Sequence, residues 1–94
     1  MKKTKAYANV WDALEPDPVV RENLKLRSLI MSELTTLIER ESWTQARAAK
    51  ALGVTQPRIS NLIRGNINVF SLDMLVKMAT AAGLRVSMRV KRAA

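Results

Sequence analysis

The chain has 94 residues and a net charge of +8, from 16 Lys and Arg against 8 Asp and Glu. That length suits one domain with a single modest core. It contains no cysteine and no histidine. Disulfides, thiolate or ordinary zinc sites and Ser-His or Cys-His catalysis are therefore excluded, and no catalytic role is expected. The basic start, Met1 to Lys5, is followed by no apolar run, so neither a signal peptide nor a membrane span is expected, and a reducing cytoplasm is the expected home.

The charge is unevenly placed. Residues 1–18 and 19–43 are each neutral, while residues 44–94 set nine basic side chains against Asp73 alone and carry the whole excess. A surface made basic only for solubility would show no such boundary. A polyanion, an acidic protein or a membrane surface could each answer to it.

Three segments are expected. Residues 1–18 are a polar tail with a short apolar cluster, residues 19–83 a helical domain, and residues 84–94 a strand with a basic tail. In the first, Val10, Trp11 and Leu14 suggest one helical turn. Trp11 either folds back on the domain's core or forms a docking peptide for another protein. Asp12, Glu15 and Asp17 are expected to serve a turn and a helix cap rather than a metal.

Asp17 as N-cap and Pro18 in the first turn open a long helix reaching about Glu41. Leu26, Ile30, Leu34, Leu37 and Ile38 form its expected buried stripe, with Val20, Leu24 and Met31 pointing elsewhere. Seven of the thirteen residues from Val19 to Met31 are aliphatic or Met, more than one amphipathic face needs. The N-terminal segment, a second subunit, or both should cover that half.

Thr44 to Gly65, TQARAAKALGVTQPRISNLIRG, reads as two short helices around a tight turn, with Trp43 pinning the start of the first. Thr44 and Thr55 are N-cap residues whose hydroxyls can accept from N–H groups left free in each first turn. Gly53 can take the left-handed conformation that ends the first helix. Val54 can staple onto Ile59. Ala46, Ala48, Ala49 and Leu52 keep the first helix smooth, so another can cross it closely. In the second, Ile59, Leu62 and Ile63 have the spacing of a buried stripe, which leaves Gln56, Pro57, Arg58, Ser60, Asn61 and Arg64 outside.

Gly65 ends that helix and Asn66 to Val69 form a loop. Ser71 caps another helix, with Asp73 in its positive first turn and Phe70 able to staple onto Leu75. Leu72, Leu75, Val76 and Ala79 are expected inside, and Gly83 is a natural stop. From Leu84 to Lys91 the period changes to two: Leu84, Val86, Met88 and Val90 alternate with Arg85, Ser87, Arg89 and Lys91, the pattern of a half-buried strand. A strand needs a partner. The same strand of a second subunit is the expected one, which makes those four apolar residues the candidate dimer contact. An extended piece around Tyr7 to Val10, or the sheet edge of another protein, would serve instead.

Gln45, Ala49, Gly53, Val54, Thr55, Gln56, Ile59, Ser60, Leu62 and Gly65 sit as in the helix-turn-helix of the Cro/phage-repressor (XRE-type) family, which the run resembles. NINVFSLDMLVKMATAAGLRV extends the likeness to a subfamily of small proteins that includes antitoxins of the HigA kind; in all it covers roughly Trp11 to Val90. The resemblance implies a mainly α, five-helix, lambda-repressor-like domain, here with a C-terminal β-strand paired across a dimer. It also implies a DNA-binding repressor, cytoplasmic and nucleoid-associated when bound to DNA, that needs no cofactor. An mRNA-cleaving toxin would be its protein partner. A stand-alone regulator and a protein-interaction module that never touches DNA remain the alternatives.

For DNA, the resemblance assigns Gln45 to a phosphate and Gln56, at the start of the second helix, to base edges, with the capping Thr55 beside it a further candidate contact. Gln56 and Asn61 carry amides that can donate and accept together, which suits adenine N6 and N7. Arg58 could fork onto guanine or clamp a phosphate, and Ser60 keeps the surface small. Arg64, Asn66 and Asn68 are candidates for phosphates. Pro57 departs from the polar residue commoner in the family, so contact there would be apolar, as with a thymine methyl. Lys2, Lys3 and Lys5 are a further candidate arm. Arg47, Lys50 and Lys77 read equally well as solvated surface.

Overall fold

A computed structural model describes residues 10–93. Among them are five α-helical segments and one 3-10 turn. α1 covers residues 10–14, α2 Pro18–Arg40, α3 Gln45–Leu52, α4 Gln56–Ile63 and α5 Leu72–Ala81, and the 3-10 turn Ile67–Val69 lies between α4 and α5. α5 packs on α2, and α3 packs on both α4 and α5.

Local chemistry accounts for the ends of these helices. Asp17 Oδ1 accepts from the backbone N–H of Val19 at 2.9 Å and Val20 at 3.4 Å, capping α2. Thr44, Thr55 and Ser71 each accept from the N–H three residues on. At their C-termini, helices α2 to α5 close with one repeated pair of bonds. In α3 the Gly53 N–H reaches the Lys50 carbonyl and the Val54 N–H reaches that of Ala49. This closure needs a left-handed residue, and Gly53 supplies it at φ 69°. Ser42 takes the equivalent place after α2 at φ 54°, a position that costs a residue with a Cβ.

The core is built from Leu34 and Ile38 of α2, Ala48, Ala49 and Leu52 of α3, Ile59 and Leu62 of α4, and Leu75, Met78 and Ala79 of α5, with Phe70 beneath. Three expected faces need correction. On α2 the inward stripe runs through Leu24, Ser28, Met31 and Ser32 before reaching Leu34, Leu37 and Ile38, while Leu26 is exposed and Ile30 only half-buried. The two serines conceal that face from a hydropathy reading. On α5 the third inward residue is Met78, with Leu72 half-buried and Val76 exposed. On α4 Ile63 is 45% exposed, leaving Ile59 and Leu62 to anchor the helix.

Trp11 folds back, the first of its two expected placements. Its indole Nε1–H donates to Ser28 Oγ at 2.6 Å, which accounts for a serine on the inner face of α2. Asp12 secures the same segment, with Lys25 Nζ at 3.0 Å and Arg21 Nε at 3.8 Å. The Asp12 hydrogen bond raises the Lys25 pKa above its ordinary value, so this tie persists until strongly alkaline pH. The three N-terminal acids thus serve the fold: Asp12 pairs with cations, Glu15 accepts from the Asp17 N–H, and Asp17 caps α2.

The expected C-terminal strand is absent among the described residues. After the Leu84 N–H closes α5 on the Ala79 carbonyl, residues 84–93 have no regular secondary structure. Leu84 packs against the core, while Val86, Met88 and Val90 are exposed, Val90 at 88%. The physical reason is the need for a partner: no described segment offers an edge for ladder bonds. The alternative of pairing with Tyr7 to Val10 does not hold at Val10, which is helical; Tyr7 to Asn9, like Lys2, Lys3 and Lys5, lie outside the described residues.

Candidate nucleic-acid interface

The site is built on α4. Its Thr55 hydroxyl accepts from the Arg58 N–H at 3.3 Å, and Pro57 falls in the first turn, where no helical bond is lost. Ile59 and Leu62 hold one side in the core at 0% and 1% exposure. With 3.6 residues per turn, the opposite side then carries Gln56, Pro57, Ser60, Asn61 and Arg64. Gln56, Pro57 and Arg64 are exposed, and Ser60 and Asn61 half-exposed. That side is uncovered by any described residue.

Past the end of α4 the polar side chains form a small network. Asn61 Oδ1 accepts from Arg64 Nη2 at 2.8 Å and from Asn66 Nδ2 at 3.4 Å. The Asn61 carbonyl thus gathers Arg64 and Asn66 at one corner. Asn68 is exposed in the following turn. Gln45, at the first position of α3, is exposed as well, so the expected phosphate contact is at least sterically open.

Arg58 is placed differently from the others. It lies on the flank of α4, half-buried, with Nη1 donating to the Val69 carbonyl at 2.9 Å and its guanidinium 5.6 Å from the Phe70 ring centre. On the other side of the same loop, Arg27 Nη1 of α2 donates to the carbonyls of Ile67 at 3.2 Å and Phe70 at 3.1 Å. Two guanidinium groups therefore fix the loop that carries Asn66 and Asn68. Arg27 belongs to no motif, and its one signal in the sequence is a charge set among the apolar residues Val19 to Met31. Arg47 is likewise engaged, its guanidinium 5.4 Å from the Trp43 ring centre. Lys50 and Lys77 are exposed.

Two short capped helices, joined through a left-handed glycine and presenting an uncovered polar side on the second, define a helix-turn-helix of the kind found in DNA-binding regulators. The chain belongs to the helix-turn-helix domain family, whose sequence profile matches residues 15–91. Comparison with curated proteins finds no match. No helix of the described residues is long and apolar enough to cross a membrane.

Proposed function

We propose that this protein is a sequence-specific transcriptional repressor which inserts α4 into the major groove of an operator and acts by binding, with no catalytic role. The observation that carries this reading is the uncovered face of Gln56, Pro57, Ser60, Asn61 and Arg64 on a helix fixed from behind by Ile59 and Leu62. Gln56 and Asn61 would read base edges, Pro57 would meet a thymine methyl, and Gln45, Arg64, Asn66 and Asn68 would hold phosphates. Arg58 would act chiefly by positioning the loop. The charge distribution supports the same face, since the whole excess lies from residue 44 onward.

Two copies would bind together, with Val86, Met88 and Val90, now exposed, gaining a strand partner from the second chain. Half-sites would then lie about 34 Å apart, or a multiple, in a pseudo-palindrome. The likeness to small antitoxins extends the proposal to a cytoplasmic antitoxin that silences its own operon and holds an mRNA-cleaving toxin away from α4. Co-expression with the neighbouring gene product and a pull-down tests that extension; absence of a complex leaves a plain regulator.

The core proposal is tested by Gln56→Ala and Asn61→Ala, assayed on the chain's own promoter by fluorescence anisotropy. Each substitution should weaken operator binding by about 1–3 kcal/mol while circular dichroism stays unchanged. Unaltered affinity in both variants, or no footprint on that promoter with the wild type, would overturn it in favour of a protein-interaction module.

A further inference from the structure

Between α2 and the far end of α4 runs a groove of about 260 Å³. The α2 side is lined by the short side chains of Ser28, Ser32, Thr35 and Thr36 together with Met31. The opposite wall is Leu62, Ile63, Gly65 and Ile67, and it is onto this groove that the exposed Ile63 looks. Trp11 closes one end beside Ser28, and Glu39 lines the other. Eleven residues of helix separate Ser28 from Glu39, about 16 Å along the axis.

The electrostatics of the groove run against those of the whole chain. In a protein of net charge +8, no basic side chain among the described residues lines it, and its one ionic group among them is the Glu39 carboxylate. Glu39 makes no ion pair among the described residues, and it sits in the last turn of α2, at the negative end of that helix's dipole. The surrounding walls are an indole, a thioether and branched aliphatic carbons, with hydroxyls along the floor. We infer that the groove is a binding site for a small organic cation, a primary ammonium carried on an apolar body. Since a cavity of roughly 150 Å³ accommodates benzene, this one suits a body of about ten non-hydrogen atoms. The ammonium would lie against Glu39 and the apolar end against Ile63 and the Trp11 ring. Binding at this site does not depend on the DNA reading of α4.

The test uses the full chain, ¹⁵N-labelled, titrated with 2-phenylethylammonium, and separately with 3-phenylpropionate and 2-phenylethanol as anionic and neutral counterparts. The expected result is a saturable shift of the Trp11 indole N–H and the Ile63 and Gly65 amides, with the Trp43 indole unmoved. The ammonium should bind several-fold tighter than either counterpart, opposite to what the net charge alone would select. Glu39→Gln, an exposed change that leaves the fold intact, should weaken the ammonium by roughly two- to five-fold. Thr36→Leu, checked for folding by circular dichroism, should fill the groove and remove the shifts. No saturable response, equal binding of all three compounds, or indifference to Glu39→Gln overturns the assignment.

Discussion

At the scale of single residues, side-chain hydrogen bonds decide which polar groups of the candidate interface remain available. Asn61 and Arg58 are equivalent candidates in the sequence, yet one organises its neighbours at the surface and the other is drawn into the loop. The difference comes from position on the helix. Asn61 is on the outer side, whereas Arg58 stands beside the buried stripe, and its long side chain reaches the Val69 carbonyl and the Phe70 ring. Arg58→Ala should therefore cost about 1 kcal/mol of stability, through one charged hydrogen bond and one half-buried cation–π contact. A urea melt measures this; an unchanged midpoint would show that the guanidinium is free for DNA. The caps at Asp17, Thr44, Thr55 and Ser71 are all legible, because each needs only a short polar side chain one turn from its N–H. Contacts such as Arg27 with the Ile67 and Phe70 carbonyls, 40 and 43 residues away, have no local signature.

At the scale of elements, helix ends are easier to read than helix faces. Gly53, Gly65 and Gly83 mark three terminations in advance, but nothing in the sequence marks Ser42. Its φ of 54° lets α2 turn into α3 through the same closing bonds that glycine serves elsewhere. Ser42→Gly should accordingly stabilise the protein by about 0.5–1 kcal/mol, seen as a rise of several degrees in melting temperature. A lower melting temperature would mean that the flexibility gained by the unfolded chain outweighs the relief. The face of α2 is misread because serine counts as polar, whereas Ser28 is buried beneath the Trp11 indole to which it is bonded. The period-two pattern of residues 84–91 is real as a pattern, but a strand is a property of a pair, and the chain by itself provides only one member.

At the scale of the whole molecule, the boundary in charge coincides with the boundary in structure. The neutral residues 19–43 are nearly all α2, while the excess lies on the helix-turn-helix and on the residues C-terminal to it. If two copies neutralise six to ten phosphates, operator affinity should fall on the order of 10³–10⁵-fold between 50 and 200 mM salt. Anisotropy titrations at several ionic strengths give the slope directly. A flat response would separate the basic surface from DNA and favour a neutral or apolar partner. The helical architecture and its helix-turn-helix are thus readable from spacing and caps. The path of the N-terminal segment, and the groove it helps to close, arise only from packing across long separations.

Trp11 and Trp43 report on different parts of the structure. Trp43 sits at the corner of α2 and α3 against the core, whereas Trp11 belongs to a single helical turn held by one indole bond and a few solvent-exposed charges. Such a turn should detach at a lower free energy than global unfolding. In a Trp43→Phe variant, the remaining emission should change at lower urea than the far-ultraviolet dichroism. Coincident curves would instead make the amino-terminal turn an integral part of one cooperative unit, so that whatever loosens it loosens the whole protein.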